Sequence, residues 1–402
     1  MTTQKTVIPI TELEQSAFCQ TEGNLRTKTL EEEFRAGVRW QKVPTRYLKL
    51  SVAELDRGIA EARTALGKTT IVLGHHYQRE DIIKYADFRG DSYKLSKMAA
   101  QTRDARVIVF CGVHFMAETA DILAGPDQTV ILPNMAAGCS MADMARTDDA
   151  EDCWSDLASV LGGAPGEIIP VTYMNSTAAI KALCGRNGGL VCTSSNAAEA
   201  FKWAFARGRR ILFLPDQHLG RNTGFQMGIP LDEMVLWSPF RPMGGLTPDQ
   251  IRKAKVILWQ GHCSVHTRFT VEQINLAREQ NPGVSVLVHP ECTLDVIRAA
   301  DLNGSTEFIA KTIGAAPAGS VWAVGTEINL VNRLAHEYPD KKIFCLDPIV
   351  CPCATMYRIH PAYLLWVLEG LMTGLVINRV HVSEPVRGQA LLALERMLEV
   401  GG

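Results

Sequence analysis

Thr70-Ile71-Val72-Leu73-Gly74-His75-His76-Tyr77-Gln78 is a continuous apolar run that stops on a glycine, two imidazoles and a phenol. An unbroken apolar run of this length predicts a strand covered on both faces, because a strand with one wet face alternates. Similar runs follow at Val107–Phe110, Val130–Leu132, Ile168–Thr172, Leu190–Cys192, Ile211–Leu214, Val256–Trp259, Val284–Val288, Phe308–Ile309, Val321–Val324 and Ile343–Leu346. Alanine-rich helical stretches separate them, which is the rhythm of parallel α/β units. The expected class is therefore α/β.

Two glycine- and proline-rich stretches, Leu161–Glu167 and Pro239–Pro248, divide the rhythm into blocks. The first strand of each block ends in chemically capable side chains: His75-His76-Tyr77, Thr172-Tyr173-Met174-Asn175 and His289-Pro290-Glu291-Cys292. Each block then closes on a cysteine-bearing loop, around Cys139, Cys263 and Cys351-Pro352-Cys353. His75 to Cys139 and His289 to Cys353 are both 64 positions, while Tyr173 to Cys263 is 90 because the middle block holds the glycine-rich insertion. We read three similar αβα domains whose parallel strands point their C-terminal ends at one central site, the place where open parallel sheets bind ligands. The boundaries are 1–65 for an N-terminal extension packing on domain 1, 66–160 completed by 347–402 for domain 1, 161–265 for domain 2 and 266–346 for domain 3.

Composition narrows the function. The 402 residues are 47% hydrophobic and 21% charged, with 41 basic against 43 acidic side chains and a net charge of −2. No basic field exists to hold a nucleic-acid backbone. The longest apolar stretch, Ala362–Asn378, contains Glu369 and two glycines and falls short of the roughly 20 residues of a membrane span. The start has no basic segment leading into an apolar core, so a cytoplasmic location is expected. Eleven cysteines are an odd number and too few for a disulfide scaffold, so most are expected as thiols.

Cys111, Cys153, Cys184, Cys192 and Cys345 sit in or beside apolar runs and read as small hydrophobes. The three loop cysteines lack the paired spacing of a structural zinc site. Small neighbours beside Cys139 and Cys263 leave room for a bulky inorganic group and favour an iron–sulfur cluster. Three thiolates would leave one metal position open to act as a Lewis acid. His75 and Tyr77 share a strand face and form an anion-binding and proton-transfer pair. His289 and Glu291 are likewise two apart and suit general base and acid. Gly90-Asp91-Ser92 and Thr193-Ser194-Ser195-Asn196 open helices, and Gly304-Ser305-Thr306 precedes a strand. Their hydroxyls suit a small anionic substrate or serve as plain caps. Leu214–Asn222 reads as a domain-connecting loop without chemistry.

The segments GHHYQ, DFRGDS, FCGVHFMAETADIL, AAGCSMADM, VTYMNSTAAIKA, CTSSNA, LPDQHLGRN, GHCSVHTRF, VHPEC, ADLNGST, VGTE and CPCATMYRI run in order from about residue 70 to 370. Together they resemble the quinolinate synthase family, iron–sulfur enzymes of de novo NAD biosynthesis. The resemblance implies a pseudo-threefold axis relating the domains, with the active site at the centre. It implies a [4Fe–4S] cluster on Cys139, Cys263 and Cys353, its fourth iron open. Cys353 is preferred because it keeps the 64-residue interval and matches the longer family members; Cys351 is the alternative. It further implies that His75, Ser92, Tyr173, Met174, Asn175, Ser194, His289, Pro290, Glu291 and Thr306 bind iminoaspartate and what forms from it. Tyr77, His289 and Glu291 would move protons. Condensation with dihydroxyacetone phosphate would give quinolinate, phosphate and two waters. An L-aspartate-oxidising enzyme that supplies iminoaspartate is the expected partner. An aconitase-like hydro-lyase and an iron–sulfur redox sensor are the competing readings.

Overall fold

The computed structural model describes residues 28–35, 41–163, 166–349 and 352–401. Cys351 lies outside the described residues. The strands, in chain order, are β1 Thr70–His75, β2 Phe88–Gly90, β3 Val107–Cys111, β4 Thr129–Ile131, β5 Ile169–Tyr173, β6 Leu190–Cys192, β7 Ile211–Leu214, β8 Met234–Trp237, β9 Val256–Trp259, β10 Ser285–Val288, β11 Leu302–Asn303, β12 Val321–Gly325, β13 Lys342–Cys345 and β14 Arg379–Val380. The α/β class expected from the sequence is the one adopted, with three sheets in which parallel pairing dominates.

The chain divides into two compact units. Of the described residues, one is built from those up to 139 with 317–319 and those of 326–381, the other from those of 140–316, 320–325 and 382–401. In the first unit the sheet order is β14-β4-β3-β1-β2, parallel except for β14. β1 is buried along its whole length, as its unbroken apolar run requires. The helix Val52–Leu66 starts with a capping box at Ser51 and Glu54 and packs on Pro361–Met372. In the second unit the order β6-β5-β7-β9-β8 is parallel throughout. There β10 also pairs in parallel with β11 and β12.

A constant displacement of 214 positions relates two stretches of the chain. It takes the start of β3 to that of β12, helix Ser92–Gln101 to Thr306–Ala315, and helix His114–Leu123 to Ile328–Glu337. Side-chain anchors move with it. Asp87 Oδ2 accepts the Val72 amide at 2.7 Å, and Asp301 Oδ2 accepts the Val286 amide at 2.7 Å. Asp91 caps the first helix of one copy and Ser305 that of the other. The shared architecture was visible in the sequence only as two equal 64-residue intervals.

Three readings need correction. Phe308–Ile309 is not a strand but lies in the helix Thr306–Ala315; the Ser305 hydroxyl accepts the Phe308 amide and starts a helix where apolar content alone suggested extension. Leu214–Asn222 is not a featureless connector. It carries the end of β7 and the start of helix Gln217–Gln226, capped by Asp216, whose Oδ1 accepts the amides of His218 and Leu219. Ser92 is not the cap of its helix; Asp91 takes the Lys94 amide. The strands β2, β8, β11 and β14 were missed, because two to four residues show no period.

Candidate active site

A buried polar group of the second unit gathers at the C-terminal ends of β5 and β10. Tyr173, the last residue of β5, donates its hydroxyl to Glu291 Oε1 at 2.5 Å. The other oxygen, Oε2, lies 2.8 Å from His266 Nδ1. The His266 and His289 rings stack with centroids 4.3 Å apart. All four side chains are buried. The peptide after β10 is clamped by Asn222, whose amide donates to the carbonyls of Pro290 and Cys292 at 2.8 Å each. Behind Tyr173, the buried Lys181 ammonium donates to the carbonyl of Met174 at 2.9 Å and to that of Ser176. Among the buried atoms without a partner are Asn222 Oδ1, Asp216 Oδ2, Asn175 Oδ1, and Thr306 Oγ1 at the opening of its helix. Such orphans in a polar recess are the signature of a site that completes its hydrogen bonds with a ligand. Ser194 is half-buried in the turn that precedes the helix Ala197–Phe205.

Burial sets the protonation pattern. It depresses His289 to about 3, with His266 adding to the effect, so the ring is neutral near pH 7. Its Nδ1 faces the Glu291 amide at 3.4 Å, which leaves the proton on Nε2 as a donor. For Glu291 burial opposes ionisation, but the imidazoles and the hydrogen bonds from His266 and Tyr173 outweigh it and hold the carboxyl below its usual range. Asp216, fully buried, is pushed the other way by burial and then by the charge of Glu291.

In the first unit, His75 and Tyr77 repeat the same local device. The Tyr77 amide donates to His75 Nδ1 at 3.1 Å, and the rings meet edge-on at 4.9 Å. The Tyr77 hydroxyl lies 2.8 Å from Thr326 Oγ1. Beside it, Glu327 caps helix Ile328–Glu337. Its Oε1 accepts the Cys353 amide at 3.1 Å and the Asn329 side-chain amide at 2.8 Å, and Asn329 also reaches the Tyr77 carbonyl at 3.4 Å. Burial raises the Glu327 carboxyl to about 7. Ser92 opens its helix half-buried in the same unit.

The cysteines separate by environment. Cys111, Cys153, Cys184, Cys192 and Cys292 are buried, and desolvation raises every one of their thiols, Cys111 to about 12. Cys139, Cys263 and Cys353 are partly exposed, as is Cys345, which the sequence had placed with the small hydrophobes, and burial raises the Cys353 thiol as well. The loops of Cys139 and Cys353 are tied together within the first unit. Arg358 donates to the Ala136 carbonyl at 2.7 Å, and Asn134 donates to the Arg358 carbonyl at 2.8 Å. The Cys263 loop is pinned at Gly261, where a Cβ would lie 2.3 Å from the Pro215 carbonyl oxygen. Accessible thiols on braced loops fit a thiolate-held inorganic group better than buried ones do.

Comparison with known proteins decides the family. Residues 57–399 match the family model for quinolinate synthetase A protein (NadA). The chain is 59% identical over 362 residues to the quinolinate synthase of Corynebacterium glutamicum, covering 90% of this chain and 91% of that one. It is 58% identical over 348 residues to the quinolinate synthase of a Nocardioides species, covering 85% and 88%. For that of Acidobacterium capsulatum the identity is 56% over 358 residues, covering 89% and 95%. The chain belongs to the quinolinate synthetase A family. It is accordingly an enzyme, and quinolinate synthesis for NAD biosynthesis is its activity. This sets aside the hydro-lyase and sensor readings.

For this quinolinate synthetase A chain, sequence reasoning missed His266, Asp216, Asn222 and Lys181 in the polar group of the second unit and Thr326, Glu327 and Arg358 in that of the first. One signal was available: His266 stands three residues after Cys263, a spacing that a tight turn folds onto one side. Asn222, Glu327 and Arg358 act through backbone groups of residues distant in sequence and Thr326 through the distant Tyr77 hydroxyl, which no local pattern reveals, while Asp216 and Lys181 bond backbone groups a few residues away. No helix among the described residues is long and apolar enough to cross a membrane.

Proposed function

We propose that the chain condenses iminoaspartate with dihydroxyacetone phosphate to quinolinate, phosphate and two waters in the cytoplasm. It would use a [4Fe–4S] cluster held by Cys139, Cys263 and Cys353 and the three-domain division given above. The observation that carries this reading is the buried Tyr173–Glu291–His266–His289 group beside Cys263.

The residues suit the chemistry step by step. Asn175 and Thr306 have spare hydrogen-bonding capacity, and His289 presents an Nε2–H donor, which together suit the carboxylates of a small dianion without a charged surface. Ser92, Ser194, Tyr173 and His75 add hydroxyl and imidazole groups, and the backbone of Met174 and Pro290 holds their loops in place. Ionised Glu291 takes a proton during triose isomerisation, and the Tyr173 hydroxyl at 2.5 Å steadies its charge. Tyr77, whose hydroxyl lies 2.8 Å from Thr326 Oγ1, delivers or removes a further proton. When bound, a cluster with one iron free of cysteine supplies a Lewis acid for expelling hydroxide in the last dehydration. The 214-residue displacement that pairs His75 with His289 also pairs Cys139 with Cys353, which supports Cys353 over Cys351. Iminoaspartate hydrolyses in water, which favours direct supply by an L-aspartate-oxidising partner.

Anaerobic purification, iron and sulfide analysis, and assay with iminoaspartate generated in situ test the proposal. About four irons per chain with quinolinate formation is the expected result. A fully active chain carrying zinc and no iron overturns it.

A further inference from the structure

We infer that Cys263, His266 and Glu291 form a mononuclear site for a zinc-like divalent ion, and that filling it blocks assembly of the iron–sulfur cluster. The site itself stands on the geometry of the second unit; only the blocking rests on the reading that Cys263 is a cluster ligand.

One thiol sulfur, one imidazole nitrogen and one carboxylate oxygen lie within 4.8 Å of one another. Sulfur, nitrogen and oxygen donors in this mixture suit a borderline-soft ion of zinc type. With bonds of about 2.0–2.3 Å, tetrahedral zinc places its donors about 3.3–3.8 Å apart, so closure needs a contraction on the order of 1 Å. The donors are already aimed. Thr267 fixes the Cys263 carbonyl through its amide at 3.1 Å and its hydroxyl at 2.9 Å. His266 begins the short 3-10 turn His266–Arg268, and stacking on His289 sets its ring plane. Tyr173 occupies Oε1 of Glu291 and leaves Oε2 toward His266. These are the outer contacts that orient metal ligands.

The ion would replace the hydrogen bond between His266 and Glu291 with two coordinate bonds, and the proton of that bond moves to the other ring nitrogen, Nε2. It would enter beside Cys263, the partly exposed member of the three. Three protein donors leave the fourth position to water. Coordination converts the Cys263 thiol to thiolate and releases its proton to solvent, so uptake strengthens with pH. A sulfur bound to zinc in this way is no longer available to iron.

The test uses the full-length Cys139→Ser/Cys353→Ser chain, reduced and metal-free, titrated with cobalt(II). One cobalt per chain with a thiolate-to-cobalt charge-transfer band is expected. Cys263→Ser in that background should abolish the band, and His266→Gln or Glu291→Gln should weaken binding by more than about tenfold. A band that survives Cys263→Ser, or an affinity indifferent to both other changes, overturns the site. A second measurement needs no substitution: one equivalent of zinc should protect Cys263 of the native sequence from alkylation, read by mass spectrometry, and unprotected Cys263 overturns it. Finally, the unsubstituted chain preloaded with one zinc should fail to take up iron and sulfide until a chelator is added. Uptake at the rate of the metal-free chain overturns the blocking. If the metal-free chain also builds no cluster, the proposed function fails, while the cobalt and alkylation results still decide the site.

Discussion

At Glu291 a carboxylate is held ionised where burial alone would protonate it, by the Tyr173 hydroxyl on one oxygen and His266 on the other. Glu291→Gln keeps the shape and removes the base. Turnover should fall about 10²–10⁴-fold while iron content and cluster absorbance stay unchanged, and Tyr77→Phe should behave alike. Glu33 illustrates the opposite balance. It is buried against Arg79 at 3.2 Å, but Arg79 also serves Asp81 at 3.2 Å, and Glu33 Oε2 has no partner. Arg79 stays charged because two carboxyls support it, whereas burial raises Glu33 from 4.5 to about 7. The folded state therefore binds a proton that the unfolded chain has released between pH 4.5 and 7. Stability is full below that window and falls by about 3 kcal/mol as pH rises through it. Glu33→Gln should lose this dependence and surpass the parent above pH 7, as measured by denaturant midpoints.

Among elements, close approach decides more than composition. Helices Ala178–Arg186 and Val386–Val400 pack together so that a Cβ on Gly185 would lie 1.8 Å from the Gln389 carbonyl oxygen. Gly185→Ala should cost at least about 2 kcal/mol, because a backbone group cannot rotate aside. This can be read from thermal unfolding. Glu327 joins a helix start to a cysteine loop. Glu327→Ala leaves the Cys353 amide without its acceptor, at about 1–3 kcal/mol, and should speed loss of iron to a chelator. Glu327→Gln keeps an oxygen there and should release iron more slowly than the alanine variant. Most strands were legible because β1, β3, β5, β7, β9, β10 and β12 are predominantly apolar. The helix at Thr306–Ala315 was not, because the apolar pair Phe308-Ile309 carries no period and the deciding contact is one hydroxyl of Ser305 on one amide.

On the scale of the whole molecule, three cysteines separated by 124 and 90 positions are assigned one task. Cys139→Ser, Cys263→Ser and Cys353→Ser should each abolish the cluster absorbance, and Cys351→Ser should leave it, as checked by iron analysis after anaerobic reconstitution. By itself, the sequence determined the α/β class, the strand ends where polar side chains gather and the family, since strand burial and polar residues at strand ends leave local traces. Only the tertiary structure decided which groups meet. The placement of His266 against Glu291 and the braces of Glu327 and Arg358 depend on burial and on distances between residues far apart in the chain. Desolvation and hydrogen-bond geometry act through space, so their outcome at a titratable group is not written in its neighbours along the sequence.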